Sequence, residues 1–311
     1  MENIRRCLNN TAALEAFDAL VEGRALGASS NIRSIILFTE EILKNGFSLD
    51  EMKAVLSAMF EYFDALRGDS SIAVRNAIEN LRTGVDRYSS IEELRTGCSE
   101  NCKRVAQKIK SDNDKIIAAA VEVLKGAKRL FLFDYSSTVD AIASALFTLD
   151  PTMELEVAES RILNGGVPFV KSAIERGQKV NFITDAAMAG TVKESDAVLI
   201  GAETIYKEGS VINTPGSELA AFCAQRANVN FYVATSYLKY DKRGQKMFKK
   251  KDIIDSFDRI LSPLLKEGQA LVTYKSHGYA LVPSDCITGY FTEKGYIAAT
   301  RFLETDGEWR V

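Results

Sequence analysis

The stretch Lys128-Arg129-Leu130-Phe131-Leu132-Phe133-Asp134-Tyr135-Ser136-Ser137-Thr138-Val139 decides the fold. Four apolar residues from Leu130 to Phe133 read as a short buried strand. A polar turn follows, and the pattern Thr138–Leu149 has helical spacing. The same grammar repeats downstream. Short apolar runs occur at Leu155–Val157, Val180–Ile183, Val198–Ile200, Phe231–Val233 and Ala270–Val272, with helical patterns such as Val167–Arg176 and Gly216–Arg226 in the gaps. Strands alternating with helices predict parallel crossovers, hence an α/β fold with a mostly parallel, doubly wound sheet.

Upstream of Gly126 the pattern is helical. Val55, Leu56, Met59, Phe60, Phe63 and Leu66 mark one buried face, and Ser48-Leu49-Asp50-Glu51 supplies a capping box at its start. Ile32, Ile35, Ile36, Ile42 and Leu43 mark the helix before it, stopped at Gly46, and another helix runs from about Asp112 to Lys125. The expected organisation is a helical domain over 1–126 and an α/β ligand-binding domain over 127–311.

Composition narrows the function. With 39 basic and 42 acidic residues among 311, the net charge is −3, and 46% of the chain is apolar. That balance describes an ordinary globular protein and argues against nucleic acid as a direct partner. The best apolar run, Ile116–Leu124, is short and broken by Glu122, so no membrane span is expected. The N-terminal residues show no signal-peptide pattern. The five cysteines, Cys7, Cys98, Cys102, Cys223 and Cys286, have no framework spacing, and His277 is the single histidine. Cys98 and Cys102 would share a helix face but lack two further zinc ligands, so neither a metal centre nor a cofactor is expected, and the chain reads as reduced and cytoplasmic.

Parallel sheets bind ligands beyond the carboxyl ends of their strands. After the first strand, Ser136 and Ser137 sit at a helix start, where free amides favour an anion such as phosphate; simple N-capping is the alternative. Asp134 would repel a phosphate, so it must be offset from it or face a sugar hydroxyl. The second strand ends in Glu159-Ser160-Arg161, whose arginine can clamp a phosphate or pair with Glu159. Asp185 follows the third strand, Glu203 the fourth, and Asn213-Thr214 precedes the turn Pro215-Gly216. Asp134, Asp185 and Glu203 could therefore meet in one cleft, where crowded carboxylates split into an acid and a base, although acidic strand ends also cap helices. The basic segment of Lys242, Arg243, Lys246 and Lys249–Lys251 reads as a solvated loop or a steering patch.

These strand ends carry a resemblance. Val198-Leu199-Ile200-Gly201-Ala202-Glu203, then Gly209-Ser210-Val211-Ile212-Asn213-Thr214-Pro215-Gly216-Ser217, then Phe231-Tyr232-Val233, resembles a superfamily signature. That superfamily joins the initiation-factor-2B alpha, beta and delta subunits, ribose-1,5-bisphosphate isomerase and methylthioribose-1-phosphate isomerase. Glu159-Ser160-Arg161, Ile183-Thr184-Asp185, Val282-Pro283, Ile287-Thr288 and Phe291-Thr292-Glu293-Lys294-Gly295 extend the match, as do Arg67, Ser70 and Asn76-Ala77. The resemblance implies N-terminal helices and a Rossmann-like domain, a homodimer formed through the C-terminal domain, and a site for a phosphorylated sugar or nucleotide. The segment Tyr279–Ala299 is apolar enough to offer an interface, or to be core.

The departures bear on mechanism. The position matching the isomerases' catalytic cysteine is Asp134, that of their catalytic aspartate is Glu203, and that of their substrate-reaching lysine is Thr214. Their N-terminal arginine segment is matched loosely by Ala25-Leu26-Gly27, with Arg24 out of register, and Ala280 stands for a C-terminal aspartate. The resemblance thus excludes a thiol acid/base and leaves two expectations. One is a sugar-phosphate isomerase with Asp134 and Glu203 as catalytic carboxylates and Ser136, Ser137, Arg161, Asn213, Thr214, Arg67, Arg24 and Asp185 as ligand-binding residues. The other is a non-catalytic sensor like the initiation-factor alpha subunit, whose tyrosine-serine pair Tyr135-Ser136 resembles.

Overall fold

The computed structural model describes residues 2–22, 24, 27–68, 71–244 and 278–302. Ser70, Ala25, Leu26, Lys246, Lys249–Lys251, the run Ala270–Val272 and His277 lie outside the described residues. The chain divides into two compact units: Met1–Asp114 with Tyr237–Tyr240, and Lys115–Ser236 with the described residues of Asp241–Arg310.

The first unit is helical: α1 (Glu2–Arg6), α2 (Thr11–Val21), α3 (Ala28–Leu43), α4 (Leu49–Phe63), α5 (Ile72–Leu81) and the first part of α6 (Ile91–Leu124). Ser48 caps α4 by accepting from the Glu51 amide while the Glu51 carboxylate accepts from the Ser48 amide, the reciprocal pair that the sequence predicts. Met52, Leu56, Met59, Phe60 and Phe63 are the buried face of α4, and Phe63 packs on Phe17 and Phe38. A π-helical turn, Asp64–Gly68, extends α4 and carries Arg67.

The sequence pattern around Asp112–Lys125 is the end of a longer element, since α6 is one continuous helix of 34 residues. Leu94, Cys98, Cys102 and Val105 contribute to the core of the helical unit, and Ile116, Ala120 and Leu124 to that of the second. Burial pushes the thiol of Cys98 up to about 11 and that of Cys102 up to about 12, which leaves both protonated and unreactive at neutral pH.

The second unit alternates strand and helix: β1 (Arg129–Leu132), α7 (Ser137–Leu149), β2 (Glu154–Ala158), α8 (Val167–Arg176), β3 (Val180–Ile183), α9 (Met188–Lys193) and β4 (Ala197–Ile200). Then come β5 (Thr204–Tyr206), β6 (Val211–Asn213), α10 (Ser217–Ala227), β7 (Asn230–Ala234), β8 (Tyr240–Asp241), β9 (Ala280–Val282), β10 (Gly289–Thr292), β11 (Gly295–Ala298) and α11 (Ala299–Phe302). The main sheet has the order β11-β10-β7-β4-β1-β2-β3 and is parallel except for the β10–β11 pair. Strand order reverses at β1 and β4, which are neighbours in register from Leu130 opposite Ala197 to Leu132 opposite Leu199. That reversal opens a crevice beyond their carboxyl ends.

Fully buried strands read as continuous apolar runs because both faces are covered, and β4 shows it with all four residues buried. The antiparallel pairs β5–β6 and β6–β9 were not visible as strands, since each is only three residues long. The apolar segment Tyr279–Ala299 is chiefly core, with Ile287, Tyr290 and Phe291 buried and Tyr296 exposed. Of the basic segment, Arg243 forms a bidentate pair with the buried Asp241.

Candidate functional site

β1 delivers Asp134 to the crevice in a left-handed backbone conformation, with φ at 57°. Aspartate tolerates that region better than bulkier residues do. The reversal turns the chain into Tyr135 and Ser136, and α7 starts at Ser137. Ser136 is the N-cap, its Oγ accepting from the Val139 amide at 3.4 Å. The capping alternative is therefore realised, and it satisfies one first-turn amide of α7. Ser137, the first helical residue, is exposed. The Ser136 side chain lies against Gly201, where an added Cβ would come within 2.7 Å of Ser136 Cβ. The loops after β1 and β4 thus touch, and only glycine permits it.

Asp134 is held on both oxygens. Ser160 Oγ donates to Oδ1 at 3.2 Å, and Thr214 Oγ1 donates to Oδ2 at 2.6 Å. Gly165 closes over Oδ1, since a Cβ there would stand 2.1 Å from that atom. Burial raises the Asp134 carboxyl above the ordinary aspartate range, and the nearby Glu203 charge pushes the same way; the Thr214 and Ser160 hydroxyls and the Tyr135 amide pull it back. Glu203 is half-buried, and its backbone amide donates to Ile212 O at 2.8 Å. Among the described residues its carboxylate accepts no hydrogen bond.

The β2 loop is organised by a second carboxylate. Asp185 accepts from the Ser160 amide on one oxygen and from the Arg161 amide on the other, each at 2.9 Å. Ser160 and Asn164 both have positive φ, at 47° and 53°. Left-handed non-glycine residues cost energy and gather where function or packing over-determines them. Arg161 lies on Glu159, with Nη2 to Oε2 at 2.9 Å, so its guanidinium makes the ion pair that the sequence allowed as an alternative to a phosphate clamp. It remains largely exposed. Asn213 is buried and donates to Ser217 Oγ at 3.0 Å, which fixes the turn leading into α10.

Asp134, Ser136, Glu203, Asp185, Thr214 and the Arg161 backbone therefore belong to one neighbourhood in the α/β unit. Arg67 and Arg24 belong to the helical unit, where Arg67 Nη2 donates to Leu20 O and Arg24 pairs with Glu22. Two contributors escaped the sequence reading. Ser160 was passed over for its neighbour Arg161, and Gly165 gave only the turn signal of Asn164-Gly165-Gly166. No group of three His, Cys, Asp or Glu among the described residues could hold a metal ion.

Known proteins share this arrangement of elements. Ribose 1,5-bisphosphate isomerase of Archaeoglobus fulgidus is 28% identical over 233 residues, spanning 73% of this chain and 72% of the relative. The crystal structure of 5-methylthioribose 1-phosphate isomerase from Pyrococcus horikoshii superposes with a TM-score of 0.81 at 16% identity, over 95% of this chain and 87% of that one. The translation initiation factor eIF-2B of the same organism superposes with a TM-score of 0.76 at 17% identity, over 94% and 99%. At such identities the two structures speak for the fold alone. A family model matches residues 28–299, most of both units, and on that match the chain belongs to the Initiation factor 2 subunit family.

Proposed function

We propose that this chain binds a phosphorylated pentose or related sugar in the β1/β4 crevice and interconverts its aldose and ketose forms. The observation that carries this reading is the pair of unlike carboxylates at the strand reversal, Asp134 clasped and raised, Glu203 unclasped and acting on it. Isomerisation through an enediol needs a base at carbon and an acid at the carbonyl oxygen. Glu203 takes the proton from the carbon beside the carbonyl, the C–H pair becomes the C=C bond, and protonated Asp134 gives its proton to the carbonyl oxygen. Return of a proton from Glu203 to the former carbonyl carbon, with loss of the neighbouring hydroxyl proton to Asp134, completes the exchange.

The amides of Ser136 and Ser137 at the start of α7 receive the phosphate, with Arg161 swung from Glu159 to meet it. Asn213 and Thr214 shape the floor. The protein works in the cytoplasm as a homodimer formed through the α/β domain; exposed Leu219 and Phe222, one turn apart on α10, supply apolar surface for it. The name of the isomerase relative and the family's description support an isomerase and an initiation-factor-like role alike.

Proton NMR of the protein with ribose, ribulose and methylthioribose phosphates tests the reaction. Glu203→Gln and Asp134→Asn are expected to lower turnover by about 10²–10⁴. Turnover at the parental rate in both variants would remove the carboxylates from the mechanism. A second reading, a regulatory protein that senses a sugar phosphate or nucleotide, is favoured by the clasp itself: hydroxyls on both oxygens suit a rigid ligand contact as well as a proton carrier. Under that reading the same mixtures bind without conversion.

A further inference from the structure

Asp185 accepts the amide of Ser160 on one carboxylate oxygen and the amide of Arg161 on the other. The turn it holds bends back over Asp134. Gly165 donates its amide to Ser160 O, and Gly166 to Glu159 O, each at 3.2 Å, which closes the loop. Ser160 is thereby a bridge between two carboxylates, giving its N–H to Asp185 and its O–H to Asp134. An N–H donor aimed at a carboxylate is among the stronger bonds available to a loop, and here two such bonds offset the left-handed strain at Ser160.

We infer that Asp185 is the positioning residue for Asp134, acting through Ser160: by capping two consecutive amides it fixes the turn that presents Ser160 Oγ and the bare Gly165 to Asp134 Oδ1. The inference rests on the reading of Asp134 as the group that carries the proton, and it gives Asp185 a role different from ligand contact. Glu203 faces Asp134 from the β4 loop, and Glu159 with Arg161 flank Asp185 on the β2 loop. None of these three is altered by the test.

The test follows the Asp134 carboxyl carbon by ¹³C NMR through a pH titration, which needs no substrate. Ser160→Gly removes the hydroxyl and relaxes the backbone; Asp134 should then titrate at higher pH, because a donor favouring its charged form is gone. Asp185→Asn should move Asp134 in the same direction, since a lone carboxamide oxygen cannot hold both amides. The sign discriminates. Removing the Asp185 charge through space alone would move Asp134 downward, and a purely scaffolding role would leave it in place. The double variant should titrate no higher than Ser160→Gly. Asp185→Ser is the second variant should Asp185→Asn not fold, with the same upward shift expected. A downward or absent shift at 185 in a folded variant overturns the proposal. If the upward shift is seen and no sugar phosphate is converted, the positioning role stands while the isomerase reading falls.

Discussion

Asp134 combines a carboxyl raised by burial with a left-handed backbone at one residue. Its φ of 57° is a conformation that asparagine also favours. Its raised carboxyl means that the folded state binds the Asp134 proton more tightly than the unfolded chain does. Stability must then fall as the pH climbs from the ordinary aspartate value through the raised one, because the unfolded state binds fewer protons across that window. Asp134→Asn removes the charge without disturbing the backbone. It should melt at a higher temperature than the parent near neutral pH, with the advantage growing as the pH rises above the ordinary aspartate value. A melting difference that shrinks over that range contradicts the raised carboxyl. The variant should gain stability and lose activity together, as expected where a site stores unfavourable electrostatics.

At the scale of elements, ends matter more than middles. α4 begins with a capping box that the pattern Ser48-x-x-Glu51 announced, and the good helix formers Leu, Glu, Met, Lys and Ala carry it on. Ser48→Ala should cost about 1 kcal/mol, read as a lower urea midpoint with an unchanged slope. Bonds from the Ser48 amide and hydroxyl hold the Glu51 carboxyl below its ordinary range. That contribution is present above the unfolded glutamate value and fades as the pH falls through the folded one, so the gap between parent and variant should narrow in acid. The start of α7 was legible in the same way, since Ser136-Ser137 follows a buried strand. What the sequence left open was whether those hydroxyls cap or bind. Ser136 caps, because its Oγ reaches the Val139 amide.

Across the α/β unit, the crevice exists because the chain builds β1, β2 and β3 outward in one direction and returns to build β4, β7 and β10 in the other. Ligand occupancy should therefore stabilise the native state by mass action. A sugar phosphate at about 100 times its dissociation constant should add about 2.7 kcal/mol, visible as a rise in melting temperature. No rise with any member of a panel of sugar phosphates and nucleoside monophosphates would leave the crevice without its proposed ligand. The proposed homodimer is checked by light scattering, where a monomer at micromolar concentration counts against it.

The sequence by itself determined the elements whose cues are local. Apolar runs three to four residues long marked β1 to β4 and β7, capping residues marked helix starts, and the polar residues after each strand marked which side of the sheet to read. Burial and backbone hydrogen bonding act on neighbours in the chain, so a linear pattern records them. The continuity of α6 was less legible, because its polar middle resembles a break and only packing on both sides sustains it. The clasp around Asp134 was not legible at all. Ser160, Thr214 and Gly165 come from loops 26, 80 and 31 residues away, and what each does depends on a distance of a few tenths of an ångström. Side-chain identity says that a hydroxyl can donate; only the folded register of the β1, β2 and β6 loops decides to whom.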